Sequence, residues 1–297
     1  MTQAKALQNF LDMPGILPMP GVFDPISTRI AERAGFKAAF MSGFNVAAAR
    51  IGMPDTGLIS YAEMLDQGRN LIDAVSIPVI GDGDTGWGNA INIKRTVKGY
   101  AAAGFACIML EDQLAPKRCG HTEGKEVVSR AEACTRFRAA VDAREEVRTE
   151  GGDILIMART DANENHGIEE AMERCREFRR IGVDITFMEA PKNLDEMKRY
   201  CDEVDGPKMA NMVEQGKTPF LRPAELEDIG YKLAIWPSSI MLASIQGMQA
   251  EMARLSKGEV GEEGKATFLE LQDLVGFPAY YDAEKKYAFE NMDQAAE

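Results

Sequence analysis

One short polar segment holds several of the side chains in this chain that could do chemistry. Residues 111–125, EDQLAPKRCGHTEGK, combine carboxylates and cations with a cysteine and one of the chain's two histidines. Cations close to a thiol lower its pKa, so the flanking Lys117, Arg118 and His121 favour a reactive Cys119. The alternative is that Cys119 is a small filler in a loop, which is the usual role of a lone cysteine.

The glycines of this segment indicate a loop that can change shape. Gly120 and Gly124 can adopt backbone conformations that other residues resist, and the segment is long enough to cover a site. A polar loop that brings a thiol to bound substrate is typical of a general acid or base. The segment therefore predicts a catalytic lid that carries Cys119.

Polar side chains recur at the points where successive apolar runs end. They are Ser42 and Gly43, Asp82 and Asp84, Glu111 and Asp112, Arg159 and Asp161, Glu189, Asn211, and Ser238 and Ser239. Several carboxylates around one cavity repel one another unless a cation lies among them. Hard oxygen ligands without a nearby His or Cys pattern suit Mg²⁺ or Mn²⁺ better than zinc. The alternative for the segment GDGDTGWG is a solvated turn.

The elements that would position these side chains alternate with a regular spacing. Short apolar runs such as IPVIG, ACIMLE and DILIMA are each followed by a helical stretch, and helices end at Gly35, Gly104 and Gly182. Eight βα units in about 250 residues are the pattern of a (β/α)8 TIM barrel, whose catalytic residues lie at the C-terminal ends of the strands. The predicted class is therefore an α/β barrel, and an open doubly wound sheet is the alternative.

Composition and charge narrow the possible partners. The chain has 297 residues, 45% of them hydrophobic and 27% charged, which is typical of a soluble globular protein. Its net charge of −13 argues against nucleic-acid or anionic-membrane partners, because these require basic patches. The five cysteines are odd in number and irregularly spaced, which indicates reduced thiols. With no signal peptide and no membrane span in the pattern, we expect a cytoplasmic enzyme.

The C-terminal segment does not follow the barrel pattern. We expect one barrel domain over residues 1–297, in which residues 256–297 form a helical extension. The stretch FLELQDLVGFPAYYDAEKKYAF places apolar and aromatic residues at helical spacing, and an isolated monomer would expose them. This predicts packing against another subunit, with a tail that folds back on its own barrel as the alternative.

The sequence KRCGH, preceded by LEDQ, resembles the signature of the isocitrate lyase and phosphoenolpyruvate mutase superfamily, in its lyase branch. MSGFNVAAARIGMPDTGLIS, VIGDGDTGWGNAINIKRTVKGYAAAGFACIMLEDQ, IMARTDA, MEAP and NMVEQGKTP resemble further blocks of that family, in the right order. The resemblance covers residues 15–255. The short chain is more similar to the 2-methylisocitrate lyase and 2,3-dimethylmalate lyase group than to the longer isocitrate lyases.

The resemblance implies a Mg²⁺ cofactor, with Mn²⁺ as a substitute, and a homotetramer that exchanges its last barrel helix. It implies that Asp82 is the direct metal ligand and that Asp55, Asp84 and Glu111 hold the waters of the metal. The reaction implied is retro-Claisen cleavage of a 2-hydroxy di- or tricarboxylate, a small-molecule substrate, to an α-oxo acid (pyruvate or glyoxylate) and a carboxylate. Cys119 would donate a proton to the second product.

The remaining implied roles divide the substrate between two groups of residues. The group for the α-oxo-acid half is Ser42, Gly43, the amide of Phe44, and Arg159. The group for the other carboxylate is Gly120, His121, Glu189, Asn211 and Thr218. Lys117 is implied to be the electrostatic neighbour of Cys119.

Two departures from the methylisocitrate lyases favour a smaller, malate-type substrate. Thr122 follows CGH where those enzymes usually carry Arg, and Phe44 stands where they tend to have Gly. Oxaloacetate decarboxylation or hydrolysis is the alternative, and Ser238 and Ser239 would favour it. A phosphonate isomerase or hydrolase would lack the CGH loop, and a barrel without activity would have lost some of its acidic and loop residues.

Overall fold

The computed structural model describes residues 2–120 and 124–288, and it contains an eight-stranded parallel barrel. The strands are β1 Leu17–Val22, β2 Ala39–Met41, β3 Val79–Asp82, β4 Cys107–Glu111, β5 Leu155–Thr160, β6 Ile185–Met188, β7 Met209–Asn211 and β8 Leu233–Trp236. They are ordered β6-β5-β4-β3-β2-β1-β8-β7, and a parallel bridge between Thr186 and Lys208 joins the two ends. The predicted TIM barrel is confirmed, and this order excludes the open doubly wound sheet.

Helices follow the strands along the chain. They are α1 Gln3–Asp12, α2 Pro25–Arg33, α3 Gly43–Val46 with a π-helical turn over Ala47–Ile51, α4 Tyr61–Asp73, α5 Ala90–Ala103, α6 Arg130–Thr149, α7 Ala162–Ile181, α8 Leu194–Glu203, α9 Pro223–Ile229, α10 Ser239–Leu255, α11 Phe268–Val275 and α12 Phe277–Lys286. Side chains satisfy the free amides at several starts, such as the capping box of Ser60 at α4. Gly104 and Gly182 end α5 and α7 in the left-handed conformation, as predicted.

The strands are apolar on both faces because each face meets a different part of the core. In β4, Cys107 and Met109 belong to the cluster inside the barrel, whereas Ile108 and Leu110 belong to the cluster that contains the covering helices. This alternation is the two-residue period of a strand. Leu7 of α1 is fully buried and belongs to the interior cluster, which leaves the C-terminal ends of the strands for polar side chains.

The chain divides into two compact units, residues 1–243 and 244–297. The first unit contains the barrel strands. In the described part of the second, α11 and α12 have no buried residues, and Phe268, Leu269 and Tyr280 are 72%, 74% and 62% exposed. The predicted single domain with an extension from residue 256, and the exchange of a helix between subunits, remain predictions. Within residues 2–120 and 124–288, no helix has both the length and the apolar composition needed to cross a membrane.

Candidate active site

A cavity of about 140 Å³ lies at the C-terminal ends of the barrel strands. The predicted site residues that line it are Ser42, Phe44, Asp55, Asp82, Cys119, Gly120, Arg159, Glu189 and Asn211. These residues come from several strand ends and from the loop after β4. The barrel therefore brings together side chains that are far apart in the sequence, as its topology requires.

The floor of the cavity is the upper layer of the barrel core. Phe40, Met109, Phe187, Met209 and Ile235 line the cavity, and all five belong to the interior cluster of buried residues. The walls carry the charged groups. A bound molecule would therefore meet apolar atoms below and polar atoms around it, which is the usual arrangement of a small-molecule site.

Asp82, at the end of β3, is held in place by backbone amides. Its Oδ2 accepts from the amide of Gly43 at 3.1 Å, and its Oδ1 accepts from the amide of Asp84 at 3.0 Å. A Cβ on Gly43 would lie 2.6 Å from Asp82 Oδ2, so only glycine permits this approach of the β2 end. Ser42 begins α3 by accepting from the amide of Asn45 at 3.4 Å. The ends of β2 and β3 thus form one rigid wall.

Lys117 joins the loop after β4 to two further acids. Its Nζ lies 2.5 Å from Asp55 Oδ1 and 2.7 Å from Asp84 Oδ1, and all three side chains are buried. Burial raises the pKa of Asp84 to about 7, although the ammonium group of Lys117 opposes this effect. Burial alone would lower the pKa of Lys117, but Asp84 and Glu111 raise it well above the usual range. Lys117 is therefore a permanent cation at this site.

Glu111, the last residue of β4, is 3% exposed. Its Oε2 lies 3.3 Å from Arg159 Nε, and its Oε1 has no hydrogen-bond partner among the described residues. Burial raises the pKa of Glu111 well above its usual range, against the attraction of Arg159 and Lys117. A buried oxygen without a partner is rare in folded proteins, so Oε1 is available to a water or a ligand.

Arg159 projects from β5 into a ring of carboxylates. It makes a two-point contact with Asp161, from Nε to Oδ2 at 2.8 Å and from Nη2 to Oδ1 at 3.0 Å. Its Nη1 lies 3.2 Å from Glu189 Oε2, and Glu189 in turn accepts from Asn211 Nδ2 at 3.3 and 3.2 Å. These contacts fix the plane of the guanidinium group, which suits it to a carboxylate ligand.

The loop that carries Cys119 lies against this ring. Cys119 is half-buried and lines the cavity, and Gly120 is buried beside it. A Cβ on Gly120 would lie 2.6 Å from Glu189 Oε2 and would also clash with Arg159 Nη2, so no other residue fits without a shift. The side chain of Gln113 holds the loop in place. Its Nε2 donates to the carbonyl oxygen of Arg118, and its Oε1 accepts from the backbone amide of Arg118, both at 2.8 Å.

Two of the residues highlighted in the sequence lie outside the described residues, and five predicted site residues that are described do not line the cavity: Gly43, Asp84, Glu111, Lys117 and Thr218. His121, a predicted catalytic residue, and Thr122, used in the substrate argument, belong to the first group. Thr218 is buried but does not line the cavity, and its hydroxyl has no hydrogen-bond partner within residues 2–120 and 124–288.

Sequence reasoning gave no role to Lys125 and none to Asp161 beyond its place among the carboxylates at the strand ends. Asp161 is the two-point partner of Arg159, and Lys125 Nζ donates to Asp161 Oδ1 at 3.1 Å. The spacing of Arg159 and Asp161 is a usable signal, because side chains two apart on a strand point to the same face. Lys125 carries no comparable signal, since its position depends on the path of a loop.

The oxygen atoms at the β3 and β4 ends fit a magnesium-type ion. Among the described residues, no three His, Cys, Asp or Glu side chains converge as a direct ligand set. Asp82 borders the cavity with Asp55, while Asp84 Oδ2 and Glu111 Oε1 are buried oxygens without hydrogen-bond partners in the described chain. Mg²⁺ keeps several waters and uses one or two carboxylates, so one direct ligand with outer carboxylates suits it.

Comparison with known proteins decides the family. The family described as phosphoenolpyruvate phosphomutase matches residues 7–256 of this chain. The chain belongs to this family. It is 38% identical over 291 residues to 2,3-dimethylmalate lyase of Eubacterium barkeri, covering 97% of this chain and 99% of the relative. It is 37% identical over 285 residues to 2-methylisocitrate lyase of Aeropyrum pernix, covering 95% and 89%.

A solved structure extends the likeness to the whole barrel. Oxaloacetate acetylhydrolase in complex with the inhibitor 3,3-difluorooxalacetate matches with a TM-score of 0.91 at 32% identity, covering 96% of this chain and 97% of that one. The predicted resemblance to the phosphoenolpyruvate mutase and isocitrate lyase superfamily is confirmed, and so is the predicted class of enzyme, a carbon–carbon lyase.

Proposed function

We propose that this lyase cleaves the C2–C3 bond of a small 2-hydroxy dicarboxylate, with a divalent metal ion as cofactor. The products are an α-oxo acid and a carboxylate. The observation that carries the proposal is the convergence of Asp82, Arg159 and Cys119 on one cavity of about 140 Å³. These side chains supply a metal ligand, a carboxylate-binding cation and a proton donor.

Asp82 would hold the metal ion, Mg²⁺ with Mn²⁺ as a substitute, as its direct ligand, and Asp55, Asp84 and Glu111 would hold waters of the ion. When bound, the ion acts as a Lewis acid that makes the 2-hydroxyl group of the substrate easier to deprotonate. Lys117 compensates part of the charge of these carboxylates through its contacts with Asp55 and Asp84.

The α-oxo-acid half of the substrate lies between the β2 end and Arg159. Ser42 and the amide of Phe44 donate hydrogen bonds to it, and Gly43 keeps this wall close to Asp82 through the 3.1 Å contact. Arg159 binds the carboxylate through the second N–H groups of Nη1 and Nη2, because the first ones and the Nε–H are engaged by Glu189 and Asp161. A planar fork of this kind orients a carboxylate better than a lysine could.

The second carboxylate lies near Gly120 and Asn211, and His121 and Thr218 are the further residues proposed for this half. Glu189 cannot bind an anion itself. Instead it orients the Asn211 amide at 3.2 Å and the Arg159 guanidinium group at 3.2 Å. Its role is therefore to aim two donors at the substrate.

Cleavage breaks the C2–C3 bond so that the electron pair remains on C3. The 2-hydroxyl group gives its proton, through a bound water, to the carboxylate of Glu111, whose buried Oε1 has no hydrogen-bond partner among the described residues. The alkoxide then becomes the carbonyl of the α-oxo acid. The other product begins as the enolate of a carboxylate, and the Cys119 thiol donates its proton to C3. Arg159 and Lys117 stabilise the negative charge as it develops, because cations act strongly in a site shielded from water.

The apolar floor and Phe44 favour a dicarboxylate with alkyl substituents. Phe44 is 43% exposed and borders the cavity. A bulky ring at this position narrows the space available to a third carboxylate. Methyl groups on the substrate would instead gain contacts with Met109 and Phe187. This favours a 2,3-dimethylmalate-like substrate over a 2-methylisocitrate-like one.

The proposal is tested by measuring α-oxo-acid release, with Mg²⁺ present, from 2,3-dimethylmalate, citramalate, malate and 2-methylisocitrate. We expect the dimethylated substrate to be cleaved fastest. Cys119→Ser should reduce kcat by about 100-fold or more, since proton donors typically contribute that much. Cys201→Ser is the matched control, because Cys201 is also half-buried but does not line the cavity. Full activity of Cys119→Ser would remove this residue as the acid.

Oxaloacetate hydrolysis is the second candidate. Ser238 lines the cavity at the β8 end, where a hydroxyl group can orient a water molecule or a carbonyl oxygen. The likeness to oxaloacetate acetylhydrolase supports this candidate. If the enzyme consumed oxaloacetate but cleaved no 2-hydroxy acid, oxaloacetate hydrolysis would replace the proposed lyase activity.

We also propose that the second unit is covered by another copy of the chain, in a homotetramer that exchanges helices. The exposed Phe268, Leu269 and Tyr280 support this assembly. A cluster of exposed apolar side chains is typical of a surface that another subunit covers. In that arrangement residues 256–297 extend a single barrel domain.

A further inference from the structure

A second buried lysine connects the Cys119 loop to the arginine pocket. Lys125 is 3% exposed, and its Nζ donates to the carbonyl oxygen of Gly120 and to Asp161 Oδ1, the latter at 3.1 Å. The same Nζ lies 2.9 Å from Glu164 Oε2. Of the three protons of this ammonium group, Gly120 and Asp161 accept two, and the Glu164 carboxylate pairs with its charge. Lys125 is therefore fully engaged within the protein.

The contact with Asp161 extends directly to Arg159. Asp161 Oδ1 is shared, since it lies 3.1 Å from Lys125 Nζ and 3.0 Å from Arg159 Nη2. Burial would raise the pKa of Asp161, but Arg159 and Lys125 lower it below the usual range. Asp161 therefore stays ionised, and its backbone amide is fixed by Asp112 Oδ1 at 3.0 Å. It is a rigid anion between two cations.

The contact with Gly120 extends directly to Cys119, the preceding residue. Gly120 is packed tightly against the arginine, because a Cβ atom at this position would clash with Arg159 Nη2. Because Gly120 directly follows Cys119 in the chain, a displacement of the Gly120 carbonyl group would also move the Cys119 thiol. Lys125 thus touches both the segment that carries the thiol and the carboxylate that orients Arg159.

We propose that Lys125 is a positioning residue that sets the place of the Cys119 thiol relative to the Arg159 guanidinium group. It does so by holding the Gly120 carbonyl and the Asp161 carboxylate in one arrangement. It does not line the cavity, so it acts through these two partners. The consequence for turnover rests on the proposed function, whereas the consequence for the loop does not.

The matched pair of variants is Lys125→Met and Lys217→Met. Both lysines pair with Glu164, since Lys217 Nζ lies 2.5 Å from Glu164 Oε1. Of these two side chains, Lys125 is the one in contact with Gly120 and Asp161. The first measurement is the rate at which iodoacetamide alkylates Cys119 in the substrate-free enzyme, followed by mass spectrometry of the Cys119 peptide.

Alkylation of Cys119 should be about tenfold faster in Lys125→Met, the size expected for losing one charged hydrogen bond. Lys217→Met should stay within about twofold of the wild type, because it leaves the Gly120 contact in place. If Lys125→Met does not fold, Lys125→Gln retains a neutral donor for Gly120 and should show a smaller increase. An unchanged rate in a folded Lys125 variant overturns the proposal.

The second measurement is turnover of the best 2-hydroxy acid. Lys125→Met should lower kcat by about tenfold or more, and Lys125→Arg should recover part of it because the charge is restored. A lysine that only stabilised the fold would change the melting temperature without this recovery. If the wild type cleaves no 2-hydroxy acid, the proposed function fails, and the alkylation rates still decide the role of Lys125.

Discussion

The ammonium group of Lys117 lies 2.7 Å from Asp84 Oδ1, and both side chains are buried. Asp55 Oδ1 lies 2.5 Å from the same nitrogen. The loop after β4 is thus tied to the β3 end by a cation that also compensates the charge of the proposed metal site. The position of the loop and the charge of the site therefore depend on each other.

Lys117→Met should destabilise the protein strongly. The substitution leaves Asp55 and Asp84 buried without their counter-charge, and removing one partner of a buried pair costs about 3–5 kcal/mol. The free energy of unfolding in urea measures this loss. Lys98→Met is the control, because its contact with Glu146 is exposed and should matter little. Equal unfolding midpoints for the two variants would contradict the buried pairing.

The contribution of Asp84 to the stability of the metal-free protein should fall as the pH rises from about 4 to 7. Burial raises the pKa of Asp84 from 3.8 to about 7, so the folded state keeps a proton that the unfolded state has lost. The stabilisation is complete below the lower value and disappears as the pH passes the higher one. Urea midpoints measured with a chelator at several pH values test this.

Asp84→Asn provides the comparison for the pH series. An amide cannot titrate, so the variant should show a shallower decline of stability over the same range. Its absolute stability will be lower because the contact with Lys117 is lost. The difference in slope is therefore the relevant quantity, and identical slopes would assign the pH dependence to other groups.

Asp82→Asn should weaken binding of the divalent metal by about 100-fold or more, since it removes the proposed direct ligand and its charge. Mn²⁺ binding, followed by electron paramagnetic resonance, measures the affinity without any substrate. Asp66→Asn is the control, because Asp66 pairs with Arg50 at the surface. Unchanged Mn²⁺ binding by Asp82→Asn would place the metal elsewhere.

Leu269→Asp should convert the proposed tetramer into smaller species. Leu269 is 74% exposed in the chain, and a carboxylate at this position would be buried without a partner in an assembled interface. Light scattering coupled to gel filtration gives the mass directly. Lys257→Asp, at an exposed polar position of the same unit, should leave the mass unchanged. A wild-type monomer would remove the proposed interface.

The barrel and much of the cavity could be predicted from sequence because both follow from local rules. Apolar runs alternate with helical stretches, and the side chain at each strand end has to lie at one rim. Asp82, Arg159 and Glu189 are predictable in this way. Their partners are less so, because the contacts of Arg159 with three carboxylates depend on distances that spacing alone does not give.

Loop residues mark the limit of this reasoning. Lys125 resembles any surface lysine in the sequence, yet its side chain is almost completely buried, because the loop returns to β5. Thr218 is the reverse case. Its sequence block resembles the family and predicted a substrate-binding residue, but its side chain does not border the cavity. No periodic pattern reports the path of an irregular segment, so these two positions required coordinates.

The residues at the floor of the cavity belong both to the barrel core and to the proposed substrate site. Met109, Phe187 and Ile235 fill the barrel interior and also form the surface on which a substrate would rest. A change that enlarges the cavity for a bulkier acid also removes contacts that hold the strands together. During evolution of a new substrate specificity, substitutions at the floor would therefore cost stability. Substitutions of Phe44 would cost less, because its side chain is partly free of the core.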